Sequence, residues 1–428
     1  MSAHPFRSSQ VRGESAEGLP EGVAFKRHIT RRRHLAGGWR LVFQGSTIIG
    51  IIALTALLYT VINQSSGLVV VQNEVEPESL AVDTIPLEEL SKEQLTTVLT
   101  EHVSPGLMRR LENDQPFAER SRDNVYQLVL ERVVKPQIVG SWPLSQSLFQ
   151  RAAIAARAAE EHPNARLSFR LWVNADFLIH SQSSVPELAG VRTAILGSLW
   201  TIAITIVIAF PVGVGAAIYL EEYARHNAVN RIIQINITNL AGVPSIIYGM
   251  LGLAIFVRAL EPMTSGTLLG VADPTTANGR TILSAGLTLA LLILPLIIIN
   301  AQEAIRAVPS SLRQASYGLG ATRWQTIWHH VLPNALPGIL TGTILAISRA
   351  IGETAPLVIV GASTFIAVDP NGPFSKFTTL PIQIYQWTSR PQDLFRNVAA
   401  AAIVVLLALL LTLNASAVLV RNRYSKRM

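Results

Sequence analysis

Long apolar runs separated by polar connections dominate the chain. Six of them reach the roughly 20 residues that a helix needs to cross about 30 Å of hydrocarbon: 42–62, 194–220, 240–257, 282–300, 339–362 and 398–420. All lack acidic and basic residues except the fifth. The third can be extended backwards by the amphipathic stretch 232–239, which leaves its start open. The pattern predicts an all-α polytopic membrane protein with six transmembrane helices. Between the first two runs lies a polar segment, 63–192. It has helical character at 87–103, 124–134 and 148–161, then alternates at 166–173 with Leu167, Phe169, Leu171 and Val173 on one side. An α/β segment is therefore expected between the first and second spans.

Charge orients the spans. The chain has 15% charged and 49% hydrophobic residues, against about 25% charged in soluble proteins. Its net charge of +7 comes from basic residues at the edges of apolar runs, where they set topology and meet anionic lipid headgroups. No nucleic-acid partner is implied; the lipid bilayer is. Arg31, Arg32, Arg33 and Arg40 precede the first run, which exceeds the 7–15 apolar residues of a signal peptide and reads as a retained anchor. Alternation then places 1–41, 221–238, 301–338 and 421–428 in the cytoplasm and 63–192 outside. The tail supports this with Arg421, Arg423, Lys426 and Arg427. Five parts are expected: a basic N-terminal segment (1–41), the first span (42–62), the extracytoplasmic segment (63–192), a membrane core (193–420) and the tail (421–428). Segment 63–192 shows no catalytic or metal-binding pattern and reads as a cap on the spans or on a partner. The chain has no cysteine, so disulfides and thiolate metal sites are excluded.

The loop 309–333 has a readable design. Pro309 suits the first turn of a helix, and Gly318 and Gly320 permit a sharp turn. Thr322 and Gln325 form a capping box for a second helix, which Pro333 is expected to end. That helix carries Trp324, Ile327, Trp328 and Val331 at helical spacing, suited to a groove on another protein. The competing reading is an amphipathic loop lying on the membrane surface.

In the fifth span Arg349 and Glu353 are four residues apart and can pair. A charge at mid-membrane costs roughly 2.5–3.5 kcal/mol on insertion scales, so such a pair faces a bundle interior or a water-filled path. Arg349 could help an anion pass while Glu353 orients it or gates the path; a structural ion pair locking two helices is equally consistent. Pro356 permits a kink, and Gly338 and Gly342 are spaced for close helix contact. Pro244 and Ser245 lie at a point in the third run where freed N–H groups could meet an anion. A simple proline kink is the preferred reading there.

The loop resembles the EAA loop of ABC importer permeases on Gln314-Ala315-Ser316, Gly320 and Leu332-Pro333. It departs from that pattern at Gln314, Ser316 and His330. Arg349-Ala-Ile-Gly-Glu-Thr-Ala-Pro356, Leu240 to Gly249 and Gly213 to Ala224 look like the phosphate-importer permeases of the PstA family, in shared order over about 190–420. The resemblance implies a type I ABC importer permease fold in a bacterial inner membrane. It implies import of inorganic phosphate, with Arg349, Glu353, Thr354 and Ser245 along the substrate path. Gln314, Ala315, Gly320, Trp324, Trp328, Leu332 and Pro333 would couple to the ATPase. The implied partners are a PstC-like permease, two PstB-like ATPase subunits and an extracytoplasmic phosphate-binding protein. The long segment 63–192 departs from relatives with a shorter first external loop. The chain has no Gly-x-x-x-x-Gly-Lys-Ser/Thr phosphate loop, so ATP and magnesium are expected on the partner and no cofactor or enzymatic activity here. Other readings are a permease for molybdate, sulfate or phosphonate and a membrane-anchored sensor or scaffold using 63–192. An intramembrane enzyme is disfavoured because the spans hold no His-Glu-x-x-His and no paired acids, and His329-His330 sits in the loop.

Overall fold

The computed structural model describes residues 22–425 apart from 83–84, 115, 119, 164, 226, 272–277, 363–364 and 367. Residues 1–21 of the basic N-terminal segment, and Lys426 and Arg427 of the tail, lie outside the described residues. The chain divides after Thr60 into two compact units. The first holds most of α1 (Gly22–Gln64), whose stretch Leu35–Gln64 is long and apolar enough to cross a membrane.

The second unit begins with the last turn of α1 and β1 (Ser66–Asn73), the centre of a three-stranded sheet. β2 (Pro136–Pro143) and β3 (Arg166–Leu171) pair with it antiparallel on either side. The alternation at 166–173 thus appears as a strand, whereas β1 and β2 were not foreseen. Leu68-Val69-Val70-Val71 is a continuous apolar run with no alternation, the pattern of a strand covered on both faces. It also follows a membrane run closely, which masks it. Val69 joins a core with Trp172, Phe177, Val191, Phe395 and Val398. The short helix that follows β2 packs against the opposite face.

Three helices bridge β1 and β2: α2 (Lys92–His102), α3 (Pro105–Asp114) and α4 (Arg122–Val129). They enclose Leu90, Leu95, Leu99, Val125 and Val129. α5 (Leu144–Phe149) and α6 (Arg151–Glu161) follow β2, and Ser147 Oγ on α5 accepts from the Leu68 N–H at 2.8 Å. After β3 come α7 (Ala175–Ile179) and the buried Glu187, whose carboxylate accepts from the Ile138 N–H at 2.8 Å. Burial nevertheless holds that carboxyl above the usual carboxylate range.

The membrane core starts with α8 (Arg192–Ile218), continued by a π turn over Tyr219–Tyr223. The third span differs from a single helix: α9 (Ala228–Ala241) and α10 (Ser245–Gly252), extended by a π turn to Ala259, are bent by 106°. A short α11 (Glu261–Thr264) leads to α12 (Ile282–Arg306), the most buried of the spans. The loop then forms α13 (Ser310–Gly318) and α14 (Arg323–Thr326).

Pro333 does not end the loop helix. A π turn over Ile327–Val331 joins α14 to α15 (Leu332–Gly352), so one helical run spans Arg323–Gly352. The wider turn shifts the backbone ladder where Pro333, lacking an N–H, would otherwise meet the carbonyl four residues back. The fifth span also breaks rather than kinks. α15 stops at Gly352, Glu353 is extended (φ −75°, ψ 124°), and α16 (Ala355–Val360) starts anew with Pro356 in its first turn. α17 (Leu380–Thr388) and α18 (Leu394–Ser425) complete the fold.

α12 packs against α8, α9, α10, α15 and α16. Small residues permit this closeness: a Cβ at Gly342 of α15 would lie 2.3 Å from the Asn300 Cβ of α12. Gly342→Ala is therefore expected to cost about 1–3 kcal/mol through overpacking. Gly215→Ala, where a new Cβ meets nothing within 4 Å, is expected to be neutral or slightly stabilising. Thermal unfolding of the two purified variants in detergent checks the difference.

Candidate functional site

The loop between α12 and α15 is anchored from one side. Arg313 on α13 donates from Nη2 and Nε to Glu222 Oε1, at 2.8 and 3.0 Å, and reaches the carbonyls of Val308 and Ile305. Both partners are largely buried, with side chains 19% and 9% exposed. Arg306 pairs with Glu221 at 2.6 Å. The two glutamates sit on the π turn that ends the second span. Sequence reasoning passed over them, although adjacent acids at a span end facing a basic loop were a visible signal.

The turn forms as the glycine pattern predicts. Gly320 has φ +82°, a conformation that costs other residues roughly 1–2 kcal/mol. Thr322 and Gln325 make the full capping box. Ser316, a departure from the family pattern, is buried, and its hydroxyl meets Thr326 Oγ1 at 2.9 Å. That bond ties α13 to α14 and uses the hydroxyl that alanine lacks.

The predicted apolar row divides. Ile327 and Val331 are 1% exposed and turn inward, Val331 packing with Ile305, Val308 and Ala335. Trp324 and Trp328 stack on each other, ring centroids 5.5 Å apart, and remain exposed. Gln314 and Ala315 are also exposed, while Leu332 and Pro333 are half-buried. The outward surface therefore includes the two tryptophans with Gln314, Ala315 and Leu319. The row splits because positions 324 and 328 share one line along the helix, and 327 and 331 the next.

At the charged break, Arg349 Nε lies 3.3 Å from Glu353 Oε1, with side chains 46% and 18% exposed. Ser348 beside it donates to Asn414 Oδ1 of α18 at 2.7 Å, holding the end of α15. Thr354 occupies the N-cap of α16 and is half-buried. Ser245 is half-buried in the first turn of α10, just after the 106° bend. No hydrogen bond or ion pair among the described residues joins Ser245 to Arg349 or Glu353. The two broken spans meet instead through α10 and α16, where a Cβ on Gly249 would lie 2.7 Å from the Pro356 Cα. Sequence reasoning also missed Tyr248. It is buried, and its hydroxyl donates to the Leu240 carbonyl at 2.7 Å, across the bend. Among the described residues no group of three or more His, Cys, Asp or Glu is placed to hold a metal.

Among the described residues, five long apolar helices and one bent pair define a multi-pass helical membrane protein. Residues 209–428 match the family "Binding-protein-dependent transport system inner membrane component". Phosphate transport system permease protein PstA 1 of Mycobacterium tuberculosis is 36% identical over 240 residues, 56% of this chain and 72% of that protein. The probable ABC transporter permease YqgI of Bacillus subtilis is 34% identical over 49% of this chain and 66% of its own length. PstA of Haemophilus influenzae is 30% identical over 56% and 79%. The chain belongs to the binding-protein-dependent ABC transporter permeases and, within them, to the PstA family. Segment 66–191 lies outside the matched region.

The anchor yields a prediction. Arg313→Ala leaves Glu222 buried without its cation, and breaking such a pair costs about 3–5 kcal/mol. The variant is expected to loosen 309–333, read as faster hydrogen exchange there, while α8 and α12 keep their protection. Unchanged exchange in the loop would show that the pair does not hold it.

Proposed function

We propose that this chain is one membrane-spanning half of an ATP-driven importer of inorganic phosphate. The observation that carries the reading is the Arg349–Glu353 pair at a break in an apolar span, packed beside a second broken span. The names of the PstA relatives, which specify phosphate transport, support the substrate. In this reading Arg349 attracts the anion and Glu353 aims the guanidinium. Thr354 and Ser245 offer hydroxyls and helix N-terminal N–H groups at the two breaks. A PstC-like permease supplies the other half of the path, and an extracytoplasmic phosphate-binding protein delivers the ion.

ATP and magnesium bind two PstB-like subunits, so hydrolysis takes place outside this chain. Those subunits dock on Trp324 and Trp328, with Gln314 and Ala315 beside them and Gly320, Leu332 and Pro333 shaping the surface. Both termini lie in the cytoplasm and segment 63–192 outside.

Removing a hydrogen bond to a charged group costs about 1.5–3 kcal/mol, or roughly ten- to hundredfold. Arg349→Ala is accordingly expected to lower labelled-phosphate uptake by at least that factor while the complex still assembles. Normal uptake by an assembled variant would remove Arg349 from the path. Competition by arsenate but not by sulfate or molybdate is the expected selectivity; the reverse order would assign another oxyanion. For the loop, Gly320→Val is expected to abolish co-purification of the ATPase, and unchanged co-purification would place docking elsewhere.

A further inference from the structure

Segment 66–191 carries large apolar side chains that nothing among the described residues covers. Phe149 is 88% exposed and Leu148 67%, both at the end of α5, and Phe169 and Leu171 on β3 are more than half exposed. Phe169 stands opposite Leu68 in the sheet and Leu171 opposite Ser66, so both lie on the face that α5 covers over β1 and β2. They continue the surface of α5 instead of entering the core on the other face.

The position of this patch relative to a bilayer follows from the chain itself. The apolar stretch of α1 closes at Ile62, and Asn63 and Gln64 are its first polar residues, marking the edge of the hydrocarbon. Asn63 Oδ1 accepts from the Ser145 N–H at 2.7 Å, which fixes the start of α5 at that edge. With a rise of about 1.5 Å per residue, Leu148 and Phe149 lie within about 6 Å of Ser145 along the helix axis. The Trp172 N–H donates to the Ser65 carbonyl at 3.0 Å, and Leu171 pairs with Ser66. Paired strand residues sit about 5 Å apart, so Leu171 is held beside the same edge. The headgroup zone is about 5–7 Å deep on each side of the hydrocarbon, and these apolar groups fall within it.

The charge around the patch fits the same surface. Arg151 and Arg157 on α6 are exposed and flank the buried strip of Ile154 and Ala158. Apolar groups next to arginines, at headgroup depth, have the composition of an interfacial anchor.

We infer that Leu148, Phe149, Phe169 and Leu171 dip into the bilayer at the Gln64 end of the first span, with Arg151 and Arg157 on anionic phospholipid headgroups. Segment 66–191 thus rests on the membrane as a monotopic element. The lipid lies where the covalent chain leaves it, and no other occupant is needed to cover these side chains.

The cysteine-free sequence makes the test direct. Single nitroxide labels are placed on the full chain by Phe149→Cys and Leu171→Cys. Leu54→Cys within the first span and Thr100→Cys on α2 serve as references, all four positions being exposed. In phosphatidylcholine bilayers the ratio of oxygen to nickel-chelate accessibility is read at each label. At 149 and 171 it is expected to be several-fold above that at 100 and to approach that at 54. Adding phosphatidylglycerol is expected to raise the ratio at 149, and Arg151→Gln with Arg157→Gln to remove that increase. Labels at 149 and 171 that match 100 would overturn the inference. So would shielding that develops only when other transporter subunits are added, which would assign the patch to a protein partner.

Discussion

Inside hydrocarbon no water is present to satisfy a free backbone N–H or carbonyl, so a break in a span survives only where protein seals it. Among the described residues two such breaks occur, at Gly242–Pro244 and at Glu353–Thr354, and much of the core serves to seal them. Tyr248 reaches back across the first bend and donates to the Leu240 carbonyl, which also accepts from the Val243 N–H at 3.1 Å. Pro244 precedes α10 without an N–H to satisfy. Gly249 lets α10 close against Pro356, which brings the second break against the α10 half of the bent third span. α12, buried and contacting five neighbours, is the surface on which these pieces assemble. The charged pair therefore lies in a place that packing had already made irregular.

The same helix that ends at this break begins in the loop. Arg323–Gly352 is one helical run, carried past Pro333 by a π turn. Trp324 and Arg349 are thus separated by about 38 Å of helix at 1.5 Å per residue. One continuous helical run thus joins the exposed tryptophans to the charged break, the physical connection that the proposed coupling needs. The other side of the loop is pinned: Arg313 to Glu222, Arg306 to Glu221, and Ser316 to Thr326. Segment 66–191 is tied in a different way, through a sheet whose inner face shares a core with Phe395 and Val398 of α18. Its outer face is covered by α5 over β1 and β2 but leaves Phe169 and Leu171 exposed, the side chains assigned to the lipid.

Much of this was legible along the chain. Which segments are apolar enough to cross follows from composition, because crossing hydrocarbon constrains it, but the third run became the bent pair α9–α10 and the fifth a helix that breaks after Gly352. The turn at Gly320 and the capping box at Thr322 were equally legible, since each depends on a few adjacent residues. The Arg349–Glu353 pair required only four-residue spacing. What stayed hidden depends on residues distant in sequence. β1 looks like any buried apolar stretch until β2 and β3 flank it, and Pro333 reads as a stop until a π turn absorbs it. Glu221 and Glu222 acquire their role only when α8 and α13 meet. Ile327 and Trp328 are adjacent and similarly apolar, yet one is core and the other surface. Local sequence determined which segments cross the membrane and which turns break them. Which breaks face each other, and which apolar side chains stay outside, was decided by long-range packing, since that depends on what each helix finds opposite it.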